Sequence, residues 1–127
     1  MAKKLFSQIR QVAPGSRLLA VSGQTAVDGE GRPVAAGDFP AQFELAFANL
    51  ATVLAGADAT LSDIVKTTTF LVGAANIAEY YAVRPAFFPA WFPDGEFPAN
   101  TLVVVERLAE PEFLIEVEAL AAVPEGR

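Results

Sequence analysis

The spacing of apolar and polar residues divides the chain into segments with two different periods. Residues 5–12 alternate apolar and polar positions, and residues 17–22 form an apolar run after a turn that contains Pro14 and Gly15. A period of two is typical of strands, so this pattern predicts an opening β-hairpin. Residues 39–55 instead repeat apolar side chains every three or four positions, which predicts a helix with one wide apolar face.

Residues that start and end helices support this helix and indicate a second one. Asp38 is a good N-cap, and Gly56 is a good C′ residue after the last turn. Asn76 with Glu79 three positions later resembles a capping box, which predicts that a second helix begins there. Pro85 lies well inside that helix and lacks an N–H group, so a kink or a late restart is expected.

The clearest strand signals lie in the second half of the chain. Residues 64–72 are rich in β-branched side chains and end at Gly73, which predicts a strand. Two further apolar runs, residues 101–108 and 113–121, flank a short charged turn that contains Pro111. This arrangement predicts a closing β-hairpin with both arms largely buried.

The predicted order of elements is β-β-α-β-α-β-β in one domain, residues 1–127. Strands with interspersed helices favour an α+β fold in which two helices cover one face of a mixed sheet. The other face of the sheet also has to be covered. In a chain of 127 residues that is 53% hydrophobic, self-association is the expected means.

Composition excludes several classes of function. The chain has no Cys and no His, which removes thiol and imidazole chemistry and the usual zinc or iron ligands, so no cofactor and no metal are expected. The net charge of −6 disfavours a nucleic-acid partner. No apolar run approaches the length of a membrane span, and the first ten residues lack the apolar core of a signal peptide. We therefore expect a cytoplasmic protein with no membrane partner.

Two carboxylates interrupt the last apolar run. Alternation places Glu116 and Glu118 on one face of that strand, and Ile115, Val117 and Ala119 on the other. Carboxylates in such a strand either pair structurally or carry out chemistry. For Glu116, a general base and a structural hydrogen-bonding partner both remain open. Glu118 is interpreted as structural.

Four segments together resemble one protein family. In order and spacing they are similar to the Rid family, the reactive intermediate deaminases, also called YjgF-like proteins, and the likeness extends from about Phe6 to Ala121. It implies a chorismate-mutase-like fold and a homotrimer with inward-facing sheets and small-molecule clefts between subunits. The implied activity is hydrolysis of imines or enamines, such as 2-aminoacrylate, to a 2-keto acid and ammonia. The segments are Ser22–Gln24, Asp63–Thr68, Phe97–Ala99 and Ile115–Ala119.

The resemblance also implies roles for individual residues. Ser22 matches a pocket serine, and Glu116 matches the glutamate that activates water if the preceding turn holds one extra residue. Asn100 stands where deaminating members carry an Arg that clamps the substrate carboxylate. An amide offers neither the charge nor the guanidinium fork, and losing such a contact costs about 1.5–3 kcal/mol of binding. The standard imino-acid activity is therefore in question.

Three further positions belong to the implied pocket. Ile9 stands where the family has a Tyr, and Tyr81 where it has an Asn. Arg84, one helical turn from Tyr81, is a candidate replacement for the missing clamp; the alternative is a solvated or salt-bridged Arg beside Pro85. Two functions follow as hypotheses: a deaminase-type hydrolase, or a non-catalytic trimer that binds a small metabolite. A ribonuclease is disfavoured because the chain is acidic and has no His.

Overall fold

Four β-strands form a mixed sheet in the computed structural model, which describes residues 4–127. The spatial order is β1-β4-β2-β3; β4 is antiparallel to both β1 and β2, and β2 is parallel to β3. This confirms the predicted α+β fold with a mixed sheet and two helices. The strands are β1 (Arg17–Gln24), β2 (Ile64–Val72), β3 (Ala99–Val105) and β4 (Ile115–Val123).

The predicted closing hairpin is wrong. Phe70 of β2 faces Glu116 of β4 on one side and Val103 of β3 on the other, so β2 lies between the two supposed arms. The arms are apolar as expected, but β3 joins the sheet as the parallel partner of β2. A parallel pair needs a crossover connection, and the second helix supplies it.

The predicted opening hairpin is also wrong, because residues 5–12 do not form a strand. Ser7 makes one isolated parallel bridge to Ala99. Its N–H donates to the Pro98 carbonyl at 3.1 Å, and its hydroxyl donates to the Phe97 carbonyl at 2.5 Å. The N-terminal segment, residues 4–10, therefore lies against the start of β3. The described order is β-α-β-α-β-β, with a short 3₁₀ helix, Leu61–Asp63, before β2.

The first helix, α1 (Phe39–Ala55), has the predicted bounds. The Asp38 carboxylate accepts a hydrogen bond from the Ala41 N–H at 3.1 Å, which confirms the N-cap. Gly56 ends the helix in a right-handed conformation with φ −64°. It is therefore the C-cap residue and not the predicted C′ residue, and Asp58, with φ 58°, takes a left-handed conformation two residues later.

The second helix, α2 (Asn76–Trp91), runs through Pro85 and Pro89 without a restart. The predicted capping box is wrong. Ala75 is the N-cap and makes no side-chain bond, whereas the Asn76 amide donates to the Val72 carbonyl at 2.7 Å. Asn76 therefore ties the start of the helix to the end of β2.

An aromatic layer joins the two helices above the sheet. Trp91 of α2 stacks on Phe47 of α1 with ring centroids 4.8 Å apart, and on Phe43 at 5.8 Å. Ile115 and Val117 of β4 are fully buried on the same side of the sheet. None of the helices in residues 4–127 has the length and apolar character that a membrane crossing requires.

No helix or strand formed by residues 4–127 covers the opposite face of the sheet. Leu18 and Leu120, on adjacent strands, are 62% and 39% exposed there. Large apolar side chains on a sheet face favour a covering partner. We call this surface the open face.

A paired Asp–Arg contact anchors the start of β2. Arg127 donates two hydrogen bonds to the buried Asp63 carboxylate, at 2.6 and 2.7 Å, and the Thr60 N–H donates a third at 2.9 Å. The hydrogen bonds from Arg127 are the main reason that the pKa of Asp63 lies below its ordinary value of 3.8. This bidentate pair connects the C-terminal residue, Arg127, to the start of β2.

We predict that Arg127→Ala lowers the melting temperature at neutral pH. Because the pKa of Asp63 is lower in the folded protein, the contact adds stability above the unfolded pKa, and this is lost as pH falls through the folded value. Thermal unfolding followed by circular dichroism should give a lower melting temperature for Arg127→Ala than for the wild type, and this difference should disappear in acid. Arg32→Ala, which removes exposed surface pairs, is the control and should have little effect. Equal melting temperatures at neutral pH would contradict the prediction.

Candidate active site

The predicted site residues lie on both faces of the sheet. Ser22 and Glu116 are on the open face, since their strand neighbours Val21 and Val117 are buried toward the helices. Asn100 is on the helix side, where it bonds with buried residues under α2. One protomer therefore does not bring Asn100 and Glu116 together.

A bulge in β1 lets the Glu116 side chain lie over the backbone of Gly23. The pairing of β1 with β4 shifts register between Val21 and Gln24. A Cβ atom at residue 23 would overlap the Glu116 carboxylate, so a glycine is needed for this approach. Burial raises the pKa of Glu116, and the neighbouring charge of Glu118 raises it further. Glu116 takes part in none of the salt bridges formed within residues 4–127.

A groove of about 430 Å³ lies beside Ser22 on the open face. Its other polar lining residues are Lys66, Thr68 and Glu118. The Lys66 ammonium donates to the Thr101 hydroxyl at 2.6 Å, which holds it at the edge of the groove. The mixture of one cation, one carboxylate and two hydroxyls suits a small polar ligand. Within residues 4–127, no three acidic side chains are close enough to hold a metal ion.

Asn100 belongs to a buried polar network. Its side-chain oxygen accepts hydrogen bonds from the hydroxyls of Thr67 at 2.8 Å and Thr69 at 3.0 Å. Its amide nitrogen donates to the Tyr80 hydroxyl at 3.4 Å. All three partners are buried. The amide oxygen of Asn100 is therefore already fully engaged inside the protomer.

Arg84 is buried rather than solvated, and it has no salt bridge within residues 4–127; that alternative for Arg84 is wrong. The side chain is only 4% exposed. Its guanidinium carbon lies 5.0 Å from the ring centroid of Tyr80 and 4.7 Å from that of Tyr81. One terminal nitrogen donates to the Leu5 carbonyl at 3.4 Å, and Nε has no hydrogen-bond partner in the described part of the chain. Burial raises the pKa of Tyr80, although the charge of Arg84 opposes this.

Ile9 and Tyr81 are surface residues of the protomer. Ile9 is 83% exposed and Tyr81 is 48% exposed. Ile9 lines a shallow depression with Arg10 and Glu96, while Tyr81 packs edge-on against Tyr80 with ring centroids 5.5 Å apart. Neither contacts Ser22 or Glu116 in the same protomer, so a shared cleft needs a second copy of the chain.

Sequence reasoning missed most of the residues that position this site. Gly23 was recognised only as part of the segment Ser22–Gln24. Thr67, Thr69 and Tyr80 gave no separate signal, although the two threonines stand two positions apart in a strand and so share one face. Two hydroxyls on the buried face of a strand could have indicated a polar partner beneath the sheet.

Comparison with known proteins identifies the family. A family model described as Endoribonuclease L-PSP matches residues 2–123. A RutC family protein of Pyrococcus abyssi is 31% identical over 121 residues, which are 94% of this chain and 90% of the relative. The 2-iminobutanoate/2-iminopropanoate deaminase of Salmonella typhimurium is 35% identical over 104 residues, 82% of this chain and 78% of the relative.

The chain belongs to the Rid family.

Solved structures agree with this assignment. The conserved Rid family protein YyfB from Yersinia pestis superposes with a TM-score of 0.79 at 35% identity, covering 94% of this chain and 87% of its own. E. coli TdcF with bound serine gives a TM-score of 0.73 at 29% identity, covering 90% of this chain and 85% of its own. The resemblance drawn from the four sequence segments is thus confirmed at the level of family and α+β fold.

We predict that Asn100→Ala destabilises this Rid protein by about 1–3 kcal/mol, because two buried hydroxyls lose their acceptor. Urea unfolding measures the change in free energy. Thr101→Ala is the control, since Thr101 is the next residue of β3 but is exposed on the other face. It should alter stability by less than about 0.5 kcal/mol. If the two variants were equally stable, the network under α2 would carry no net stability.

Proposed function

We propose that this Rid family protein is a homotrimeric hydrolase that releases ammonia from small imines or enamines. The observation that carries the proposal is Glu116: a carboxylate with a raised pKa that lies over Gly23, next to Ser22 in the chain, and forms no salt bridge with residues 4–127. Relatives described as 2-iminobutanoate/2-iminopropanoate deaminases support the same reaction class. A cytoplasmic location remains a prediction from the sequence.

The reaction consumes water and breaks a carbon–nitrogen bond. Glu116 removes a proton from water as the oxygen attacks the imine carbon, and the imine nitrogen takes up a proton. The resulting carbinolamine then expels ammonia and leaves a carbonyl. A carboxyl group whose pKa is raised above its ordinary value holds a proton more readily, which suits it to accept the proton from water and to return it. Ser22 supplies a hydroxyl for orienting the substrate or the water.

The placement of the site residues supports an assembly of several copies, and the trimeric number comes from the family resemblance. Ser22 and Glu116 lie on the open face, whereas Asn100, Tyr81 and Ile9 lie on the helix side and the outer surface. A neighbouring copy that covers the apolar open face would set its own Ile9 and Tyr81 opposite Glu116. The proposed site is incomplete without that copy, so activity is expected to require assembly.

A non-catalytic metabolite-binding trimer is the second candidate. Asn100 favours it, because its amide is neutral and its side-chain oxygen already accepts hydrogen bonds from Thr67 and Thr69. Asn100 therefore does not supply the charged contact that the imino-acid reaction implies. The TdcF structure with bound serine also supports ligand binding by a related fold. Ligand-dependent thermal stabilisation without ammonia release would select this function over the first. A ribonuclease is not proposed, because a net charge of −6 disfavours a phosphate backbone as partner and the chain has no His to act as acid or base.

We predict that Glu116→Gln lowers kcat/KM by about 10²- to 10⁴-fold, since the amide cannot accept the proton from water. Ammonia release from imines generated in situ by an amino acid oxidase measures the rate. Wild-type activity should rise with pH along a limb whose midpoint lies above 4.5, the ordinary pKa of Glu. Wild-type protein should also lose stability relative to Glu116→Gln as pH rises through this raised pKa.

The matched control for this prediction is Glu118→Gln. It removes the neighbouring negative charge, so the pKa of Glu116 should fall and the pH limb should move to lower pH while turnover persists. Full activity of Glu116→Gln, or no turnover of wild type on both acidic and neutral imines, would overturn the hydrolase proposal.

We predict that Leu120→Lys dissociates the trimer, because it places a cation on the open face where copies are proposed to meet. Light scattering should show the mass of one protomer, circular dichroism should show that the fold is retained, and ammonia release should be lost. Val53→Lys, on the exposed side of α1, is the control and should remain trimeric and active. Monomeric protein with wild-type activity would refute the intersubunit site.

A further inference from the structure

Two opposite charges on the open face are not paired with each other. Lys66 of β2 and Glu118 of β4 both line the groove beside Ser22. In the pairing of β2 with β4, Lys66 lies opposite Leu120, and Glu118 lies opposite Thr68. The two charged residues are therefore diagonal neighbours on adjacent strands, a separation that long side chains can bridge. Neither takes part in the salt bridges formed within residues 4–127.

The ammonium group of Lys66 is directed away from β4. It donates to the hydroxyl of Thr101 on β3 at 2.6 Å, and β3 is the edge strand on the far side of β2. The Glu118 carboxylate instead lies near Glu116 on β4, where its charge raises the pKa of Glu116. The open face therefore carries a cation toward its β3 edge and two carboxylates on a central strand.

Apolar side chains next to these charges also need a covering partner. Leu120, which lies opposite Lys66, and Leu18 on β1 are both exposed. A partner that covers them also removes water from the charges nearby. A charge in water needs no counter-charge, whereas a charge that loses its water is unfavourable unless an opposite charge meets it. The surface that covers the open face therefore has to carry both an acidic and a basic group.

A second copy of the chain meets this requirement. Each copy offers the same cation and the same carboxylate on different strands. In a cyclic assembly, each interface joins one side of a subunit to a different side of the next, so the β3 side with Lys66 can meet the β4 side with Glu118. A polyanion would be repelled by Glu116 and Glu118, and an apolar membrane surface would leave all three charges unpaired.

We propose that Lys66 of one copy pairs with Glu118 of the neighbouring copy, and that this pair selects another copy of the chain as the partner of the open face. The inference rests on the assembly in the proposed function and assigns the contact that specifies it. Burial of the leucines supplies most of the affinity, and the charges supply selectivity, because like charges brought together across an interface are strongly unfavourable. Glu118→Gln removes a charge without creating repulsion, so it leaves the assembly intact.

Charge reversal tests the pair, with light scattering as the measurement. Lys66→Glu brings two carboxylates together at each proposed contact and Glu118→Lys brings two cations together, so each variant should have the mass of one protomer. The double variant Lys66→Glu/Glu118→Lys exchanges the two partners and should recover the wild-type mass. The matched control is Glu44→Lys, which makes the same change of charge at an exposed position of α1 and should keep the wild-type mass. Circular dichroism checks that each variant is folded.

Mixing the two single variants separates a contact between copies from one inside a protomer. Repulsion inside a protomer stays in each variant whatever it is mixed with. Between copies, the reversed charge of Lys66→Glu meets the reversed charge of Glu118→Lys, and the attraction is restored at that contact. An equimolar mixture should therefore contain assemblies larger than one protomer, although neither variant alone does. Affinity-tagged Lys66→Glu should retain untagged Glu118→Lys on a column and should not retain untagged Lys66→Glu.

The outcomes separate this inference from the proposed function, because none of them depends on ammonia release. If both single variants keep the wild-type mass, or if the double variant stays at the mass of one protomer, Lys66 and Glu118 do not pair; the inference is overturned while the proposed assembly stands. Recovery in the double variant without recovery in the mixture would place the pair inside the protomer and also overturn the inference. Wild-type protein with the mass of one protomer would refute both proposals. Should one single variant fail to fold, the other single variant and the double variant still test the pair.

Discussion

The pairing of β4 with both β1 and β2 is the contact on which the rest of the structure depends. Because β4 is central, its alternating side chains serve two environments: Ile115 and Val117 fill the core beneath the helices, while Glu116 is held on the open face. A shift of one residue in register would exchange these roles completely. The strand that stabilises the core therefore also fixes the position of the candidate catalytic carboxylate.

Much of the fold could be predicted from local patterns. Helix α1 and strand β2 were placed with the correct bounds because the period of their apolar residues is unambiguous. The two hairpins were wrong for different reasons: residues 5–12 form no strand, whereas β3 and β4 are strands that were taken as neighbours in the sheet because they are neighbours in the chain. The β-branched run in β3 fits a parallel partner as well as an antiparallel one, and only the position of α2 decides between them.

The sequence predicts which face of a strand a site residue lies on. It does not predict how deeply a side chain is buried or which residues from other elements it contacts. Alternation placed Glu116 opposite its strand neighbours Ile115 and Val117, and the structure agrees. The burial of Arg84 could not be predicted, since it results from three aromatic rings and the N-terminal segment packing around it. Likewise, the engagement of Asn100 by two threonines is a tertiary contact between strands, which composition does not reveal.

The aromatic layer has a consequence for observing the protein in solution. Trp91 is the sole tryptophan of the chain, and it stacks on Phe43 and Phe47 of the other helix. The wavelength and intensity of its fluorescence emission depend on the solvent exposure and the mobility of the indole ring in that stack. Intrinsic fluorescence therefore reports the docking of α1 against α2, while the tyrosines beside Arg84 give a separate absorbance signal. The fold thus carries two optical probes, one for the core and one for the region where the ligand is proposed to bind.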